Sequence, residues 1–381
     1  MARIILGSYM VRYPLGAVLS WALQYLTGFQ KLGHDVFFVE KSGYPKSCYD
    51  PSRDVMSDDC SYGTVTVEAV LSRIGMGGKW CFVDAAGRHH GLSRERVQAV
   101  FDSADLFVDM GTHGAWLDEA VRTGMRVLVD GEPGFTQMKM QKALAAGRTL
   151  PSYDFYYTNG RNIGTERSAA PTGDRKWRPL FHPVDIETFP VVPSPADAPF
   201  TSIMNWQSYE PVEYLGETYG HKDVEFVKFM TLPKLTGSRL ELAVSGSTVP
   251  RDELTSAGWR IEDPHEVTRS FDSFVDYIHG SRGEFSVCKS GYVRLNTGWF
   301  SDRGAAYLAS GRPVVQQDTG FGAHLPCGHG LFAVRDVDEA AAAIDAIAGD
   351  YERHAAWARE IAAEYLDAPK VLAEMLRDLG I

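Results

Sequence analysis

The chain has 381 residues, of which 44% are hydrophobic and 23% are charged, a composition typical of globular proteins. This length predicts two domains rather than one ordinary core. With 38 basic and 49 acidic residues the formal charge is −11, which disfavours non-specific binding to nucleic acid, so we predict no nucleic-acid partner.

The N-terminal residues, the apolar runs, the five cysteines and the histidines bear on the cell compartment, on membrane insertion and on metal binding. Residues 1–7 form an apolar run too short for a signal peptide, and no run reaches the roughly 20 apolar residues of a membrane span. The cysteines form no Cys-x-x-Cys pair, which argues against a disulfide framework. His89 and His90 have no partner at metal-ligand spacing, so no metal site is predicted. We expect a soluble, cytoplasmic protein without a transmembrane segment.

The first half alternates strand and helix patterns. A buried strand at 4–6 is followed by a loop at 7–16, a helix with apolar residues at helical spacing, and a strand at 35–39. This βαβ opening predicts a parallel sheet with crossover helices. Further strands are predicted at 105–109, 126–129 and 155–158, a helix at 116–122, and an inter-domain linker rich in Pro, Gly and Arg at 163–199.

The second half repeats the alternation. Strands are predicted at 201–205, 240–244, 258–261, 284–287 and 313–316, and helices near 223–232, at 274–279, at 303–309 and across 337–379. Two parallel sheets in series place their strand ends opposite each other across a cleft, and ligands bind outside such carboxyl ends. Binding residues are therefore expected in the loops that follow the strands.

Residues 299–321 predict an anion site. Ser301 is expected to cap the helix at 303–309, whose first turn then offers free N–H groups and a positive dipole end. Arg303 adds a fork of donors suited to phosphate, and Asp302 can accept from sugar hydroxyls. The other candidates for ligand contacts are Lys289, Arg294, Asp318, Thr319, Gly320 and Phe321.

This stretch resembles the donor-binding segment of GT-B glycosyltransferases of group 1 and group 4, as found in bacterial saccharide and natural-product clusters. The resemblance rests on a helix followed by Gly-Arg-Pro-Val-Val at 311–315 and Asp-Thr-Gly at 318–320. The opening strand, loop and helix and the helical run at 351–379 are also similar to that family. The resemblance implies two Rossmann-like domains, at 1–190 for the acceptor and 191–365 for the nucleotide sugar, and a helix at 366–381 that crosses back to the first domain.

The chain departs from the family at one point. Retaining members usually carry two glutamates eight positions apart, the second five residues before the Gly of Gly-x-Pro. Here those positions are Ala306 and Gly298. The resemblance therefore leaves retention or inversion of the anomeric configuration open, and Ser301, Asp302 and Arg303 are expected to supply the polar contacts.

The strand-end loops of the first half carry the candidate base. His113 is the first choice, since its reference pKa suits proton transfer at neutral pH. Asp130 and Glu132 are rivals for the same role. The acceptor is expected beside the first loop, which contains Tyr9, Arg12 and Gly16.

Together these features predict a metal-independent transferase that moves a sugar from an NDP-sugar to a small-molecule or saccharide acceptor, with no obligatory cofactor. A homodimer is left open. Dehydrogenase, P-loop and serine-hydrolase functions are disfavoured, because the chain has no GxGxxG, GxxxxGK[ST] or GxSxG sequence. Two alternatives remain: an isomerase of the nucleotide-sugar 2-epimerase type, and a catalytically silent nucleotide-sugar-binding homologue.

Overall fold

The computed structural model describes residues 1–381 and contains two main sheets. The N-terminal sheet has eight strands in the order β10-β9-β8-β7-β1-β2-β5-β6, parallel except for the β5–β6 pair. Its elements, with the small β3–β4 hairpin, are β1 Arg3–Gly7, α1 Gly16–Lys31, β2 Asp35–Lys41, β3 Cys48–Asp50, β4 Val55–Ser57, α2 Ser61–Arg73, β5 Trp80–Val83, β6 His89–Gly91, α3 Arg94–Asp102, β7 Leu106–Asp109, β8 Met125–Asp130, α4 Phe135–Ala145, β9 Phe155–Thr158 and β10 Trp177–Pro179.

The C-terminal sheet has six parallel strands in the order β15-β14-β11-β16-β17-β18. Its elements, with the β12–β13 hairpin, are β11 Phe200–Asn205, β12 Val212–Tyr214, β13 Glu217–Tyr219, α5 Lys222–Phe226, β14 Leu240–Ser245, α6 Arg251–Ala257, β15 Arg260–Glu262, α7 Pro264–Thr268, α8 Phe271–His279, β16 Gly283–Ser286, α9 Ser290–Arg294, α10 Asp302–Ala309, β17 Val314–Gln317, β18 Leu331–Val334, α11 Val337–Gly349, α12 Tyr351–Ile361 and α13 Ala368–Leu379. Short 3-10 turns lie at Glu119–Arg122, Val227–Phe229, Leu232–Lys234 and Phe321–Ala323, and a π turn at Ala362–Leu366.

The two βαβ patterns predicted from the sequence are confirmed, because buried strand residues alternate with amphipathic helices that cover the sheets. Two predictions were wrong in detail. The helix expected at 116–122 is a single 3-10 turn at Glu119–Arg122. Trp116 is fully buried and stacks on the ring of Phe101, and this packing replaces the first turn of the expected helix. The presumed linker also contributes β10 to the N-terminal sheet.

The last helix returns to the N-terminal half, as the family resemblance implies. Leu372 and Met375 on α13 are buried in the same core as the residues of β1 and α1. At the end of α13 the Asp378 carboxylate accepts hydrogen bonds from Tyr157 at 2.5 Å and from Arg178 at 2.7 Å. None of the helices in the chain combines the length and the apolar character that a bilayer crossing requires.

The two halves also meet along α1 and α8. Gly16, the first residue of α1, lies so close to α8 that an added Cβ would stand 2.2 Å from the carbonyl oxygen of Ser270 and 2.6 Å from the Phe274 side chain. Only glycine permits this approach. A second, apolar contact joins Phe135 at the start of α4 to Tyr292 and Leu295 of the C-terminal half.

Candidate active site

A buried set of polar side chains lies where α10 begins, at the cleft between the halves. We call Lys222, Glu284, Ser301 and Arg303 the polar cluster. Lys222 follows the β12–β13 hairpin, Glu284 belongs to β16, and the other two open α10. Glu284 and Ser301 are fully buried and Lys222 is 7% exposed. Arg303 is partly buried, and three charged side chains in one largely buried place are unusual, because burying charge is costly unless it is paired.

Glu284 and Arg303 are neighbours but are not hydrogen-bonded. The Arg303 Nε lies 3.7 Å from Glu284 Oε1. Neither carboxylate oxygen of Glu284, nor the Arg303 Nε, has a hydrogen-bond partner within the protein. Burial raises the pKa of Glu284, and the nearby charges of Arg303 and Lys222 oppose that rise. The pair is therefore incompletely satisfied.

Lys222 has no hydrogen-bond or ion-pair partner at all. Burial lowers the pKa of its ammonium group, and the positive charge of Arg303 lowers it further, whereas Glu284 raises it. The polar cluster thus holds two cationic side chains against one carboxylate. An anionic ligand would satisfy both the charge and the open donors.

The first turn of α10 is open to the cleft in the same place. Ser301 is the N-cap residue, but its hydroxyl makes no cap bond, so the predicted capping was wrong. The Ser301 N–H donates to the Gln316 side chain on β17 at 3.2 Å, which ties this backbone to the sheet. The N–H groups of the first turn are left available, together with the positive end of the helix dipole.

Asp302 faces the N-terminal half across the cleft. Burial raises the pKa of Tyr9 to about 12, and the negative charges of Glu132 and Asp302 contribute to the rise. His182 is buried, and neither of its ring nitrogens has a hydrogen-bond partner. Burial lowers the pKa of His182, and the nearby negative charge of Asp302 opposes this shift. Asp302 and Tyr9 are therefore close enough for the charge of Asp302 to influence the Tyr9 hydroxyl.

Lys289 and Glu132, predicted for opposite sides of the site, contact each other. The Lys289 Nζ lies 2.6 and 2.7 Å from the two carboxylate oxygens of Glu132. Tyr209 donates to the same carboxylate at 2.5 Å. Burial raises the pKa of Glu132, but Lys289 and Tyr209 outweigh it and hold the pKa below its usual range. Lys289 is therefore engaged by the N-terminal half rather than directed at the polar cluster.

Arg294 and Phe321 do not reach the polar cluster. Arg294 donates to the Thr218 carbonyl at 2.8 Å and to Glu217 at 2.7 Å, on the β12–β13 hairpin. Phe321 is fully buried and packs on Phe300 with ring centroids 5.4 Å apart. Its ring has no free face on which a base can stack.

The predicted loop at 318–320 is held by its own bonds. Asp318 accepts from the Gly320 N–H at 2.7 Å, and the Thr319 hydroxyl donates to the Trp299 carbonyl at 2.6 Å. Gly320 has a φ of 88°, and an added Cβ would lie 2.3 Å from the Asn296 side chain. The glycine is therefore required by local packing, whether or not a ligand approaches.

The other two predicted bases are placed differently from Glu132. Asp130 is buried, and its carboxylate accepts from Gln137 and Thr158, each at 2.8 Å, and from the Glu132 N–H at 2.9 Å. Its oxygens organise the loop after β8. His113 lies in an exposed turn with a φ of 53° and makes no side-chain hydrogen bond. The turn itself is held by Asp109, which accepts from the N–H groups of Thr112 and Gly114.

In the first loop, Arg12 has a structural partner. The buried Glu40 accepts from Arg12 Nε at 3.0 Å and from the N–H groups of Met10 and Val11 at 2.8 and 2.6 Å. Glu40 therefore shapes the loop after β1. Tyr9 is the candidate of this loop that faces the cleft, with its ring 5.6 Å from that of Trp21.

Three residues of this region were not predicted from the sequence: Lys222, Glu284 and His182. Glu284 carried a usable signal, since a charged residue within an otherwise apolar strand pattern is rarely buried without a role. Lys222 and His182 carried none, because Lys222 opens a short helix and His182 lies in a loop, and the position of both depends on the packing of the two halves.

No protein-family model matches the chain, and no curated protein matches it. Solved structures do. An alpha-glucosyltransferase in complex with UDP and a 13-mer DNA is 11% identical, with 100% of this chain and 99% of that chain covered and a TM-score of 0.59. HepE from Anabaena in complex with UDP-glucose is 12% identical, with 100% of both chains covered and a TM-score of 0.58. Sucrose-phosphate synthase from Thermosynechococcus elongatus is 12% identical, with 100% and 99% covered and a TM-score of 0.53.

These likenesses cover the whole chain, both sheets included. The protein has the GT-B fold, with two Rossmann-like units that face each other across a cleft and a last helix that crosses back. The predicted α/β fold class is confirmed.

Proposed function

We propose that the protein is a glycosyltransferase that moves a sugar from a nucleoside diphosphate sugar to an acceptor bound in the cleft. The observation that carries this proposal lies beside the first turn of α10, where Lys222 has no bonded partner and the Arg303 Nε makes no hydrogen bond although it stands 3.7 Å from Glu284. A diphosphate supplies the negative charge and the acceptor oxygens that this place requires. The UDP and UDP-glucose named with the structural neighbours support the same ligand class.

The chemistry follows from where charge develops. When the sugar leaves, negative charge grows on the diphosphate. Lys222, Arg303 and the helix N–H groups are already in place to stabilise it, without the reorganisation that water would need. Asp302, which is half-buried at the cleft, is proposed to accept from a sugar or ribose hydroxyl.

The acceptor is proposed to bind in the N-terminal domain, at 1–190, opposite the donor domain at 191–365. Of the three predicted bases, Glu132 is favoured by position, because it lies where the two halves meet, bonded to Lys289 and Tyr209, and its lowered pKa keeps it ionised. An ionised carboxylate can orient an acceptor hydroxyl by hydrogen bonding. We propose a small-molecule or saccharide acceptor rather than nucleic acid, since the formal charge is −11.

A ligand screen followed by a product assay tests the proposal. Thermal unfolding is measured with UDP, GDP, ADP, CDP and TDP, and at least one should raise the melting temperature by binding the folded state. The matching NDP-sugar is then incubated with and without candidate acceptors. Sugar transfer supports the proposal. Absence of stabilisation by all five nucleotides contradicts it, epimerised NDP-sugar without acceptor favours the isomerase, and binding without turnover favours a silent homologue.

A further inference from the structure

Three metal-ligand side chains converge at the far edge of the N-terminal sheet. Cys60 stands at the start of α2, Asp84 follows β5, and His90 lies on β6. The His90 Nε2 lies 3.0 Å from Asp84 Oδ2 and 3.5 Å from Cys60 Sγ. One ligand atom from each residue lies within 4.8 Å of the other two. His90 thus has two partners that are distant in the sequence, which the spacing argument could not detect.

The arrangement is not that of a hydrogen-bonded catalytic triad. A triad uses the two histidine nitrogens separately, one toward the carboxylate and the other toward the nucleophile. Here the same nitrogen of His90 faces both Asp84 and Cys60. A single imidazole nitrogen cannot serve two in-plane hydrogen bonds, whereas three ligand atoms within 4.8 Å of one another can share one metal ion.

The distances suit zinc. Zn–S bonds of about 2.3 Å and Zn–N and Zn–O bonds of about 2.0–2.1 Å at tetrahedral angles place sulfur roughly 3.5 Å from nitrogen, and nitrogen roughly 3.3 Å from oxygen. The observed separations are 3.5 and 3.0 Å. Cys60 and Asp84 are buried and His90 is half-buried, so the site is largely enclosed with one open side.

The surroundings of Asp84 orient it as a ligand. Its Oδ1 accepts from the backbone N–H groups of Ala86 and Arg88, both at 2.9 Å, which leaves Oδ2 directed at His90. Second-shell bonds of this kind hold metal ligands in place. Arg88 also contacts Oδ2 at 2.8 Å, but its side chain is 73% exposed, so it can withdraw at little cost.

We propose that Cys60, Asp84 and His90 form a zinc-type divalent-cation site, with water as the fourth ligand. Binding replaces the thiol proton of Cys60, which is released to solvent, with the bond to the metal. The ion would tie the start of α2 to the turn between β5 and β6. None of the three residues is assigned to the proposed donor or acceptor site, so this inference does not depend on the proposed function.

Cobalt and zinc titrations of the full-length, chelator-treated protein test this. Co²⁺ should bind at one ion per chain and show a thiolate-to-cobalt charge-transfer band, and Zn²⁺ should displace it. Cys60→Ser should remove that band. His90→Gln should weaken Zn²⁺ binding at least about 100-fold. Loss of a residue that only hydrogen-bonds a metal ligand already lowers metal affinity by up to about 100-fold, and loss of a ligand itself should cost no less.

His89→Gln is the matched control, because neighbouring residues of a strand point to opposite faces, and it should bind like the parent protein. His90 lies on a half-buried edge strand, so His90→Gln keeps the test usable if Cys60→Ser fails to fold. No charge-transfer band in the parent, or equal Zn²⁺ affinity in the parent and His90→Gln, would overturn the proposal.

Discussion

Lys289 of the C-terminal half and Glu132 of the N-terminal half form an ion pair across the cleft, with Nζ within 2.6 Å of Oε1. Lys289 is 9% exposed, and its ammonium also lies 4.8 Å from the centre of the Tyr209 ring. The pair joins the loop after β8 to the start of α9. It therefore links the proposed acceptor and donor sides of the site by a direct bond.

Removing the charge of Glu132 should destabilise the protein. In Glu132→Gln the shape and the Tyr209 contact are kept, but the buried Lys289 loses its counter-charge, which costs about 1–3 kcal/mol of unfolding free energy. Urea unfolding measures this. Adding Lys289→Met should recover part of the loss, since the unpaired cation is then gone. Strictly additive effects of the two changes would show that the pair does not couple the halves.

Lys222→Met should separate ligand binding from folding. Each charge-assisted hydrogen bond contributes about 1.5–3 kcal/mol, so loss of Lys222 should weaken nucleoside diphosphate binding about 10- to 100-fold. The ligand-free protein should be as stable as the parent or more so, because a buried, unpaired charge has been removed. Calorimetric titration gives the affinity, and Lys234→Met, at an exposed lysine of the same half, is the control. Equal affinities in all three proteins would remove Lys222 from the donor site.

The buried carboxylate of Glu284 should make stability depend on pH. Its pKa is raised in the folded state, so its contribution is fully present below the unfolded pKa and is lost as pH rises through the folded value. The parent should therefore gain stability relative to Glu284→Gln as pH falls from 8 to 5. Each pKa unit between the folded and unfolded values corresponds to about 1.4 kcal/mol.

Urea unfolding at several pH values measures this difference. Both proteins carry Lys222→Met, so that the lysine whose pKa depends on Glu284 does not titrate, and titration of the remaining groups cancels between them. If the difference in unfolding free energy between the parent and Glu284→Gln is flat from pH 8 to pH 5, the raised pKa is refuted.

Gly16→Ala should disturb the contact between the halves. The new Cβ meets the Ser270 carbonyl and the Phe274 side chain, so α1 or α8 must move, and overpacking of this kind costs about 1–3 kcal/mol. Thermal or urea unfolding measures the loss. Gly237→Ala is the control, because a Cβ there meets nothing within 4 Å. Similar stability for both variants would mean that the α1–α8 contact is looser than described.

The periodic elements were predictable because their signals are local. The apolar strands such as β1 and β17, the helical spacing in α1 and the Gly-x-Pro turn before β17 each involve residues close in sequence. The helix expected at 116–122 failed, since the burial of Trp116 against Phe101 is a tertiary contact that overrides local preference.

The site was predictable only in part. The helix that begins at Asp302 was predicted correctly, because helix and strand ends follow from the βαβ pattern, and the ligand role of Asp302 and Arg303 stays a prediction. Which side chains pair was not predictable. Lys289 binds Glu132, 157 residues away, and Arg12 binds Glu40. Lys289 and Arg12 had both been predicted to lie at the ligand site.

By itself the sequence determined the α/β fold and its two units, because hydrophobic periodicity and turn residues act over a few positions. Only the tertiary structure decided that Lys222, Glu284 and Arg303 share one buried place and that His90 meets Cys60 and Asp84. Electrostatic and metal-ligand interactions depend on distances of a few ångströms, and those distances are fixed by how the packed elements bring remote parts of the chain together.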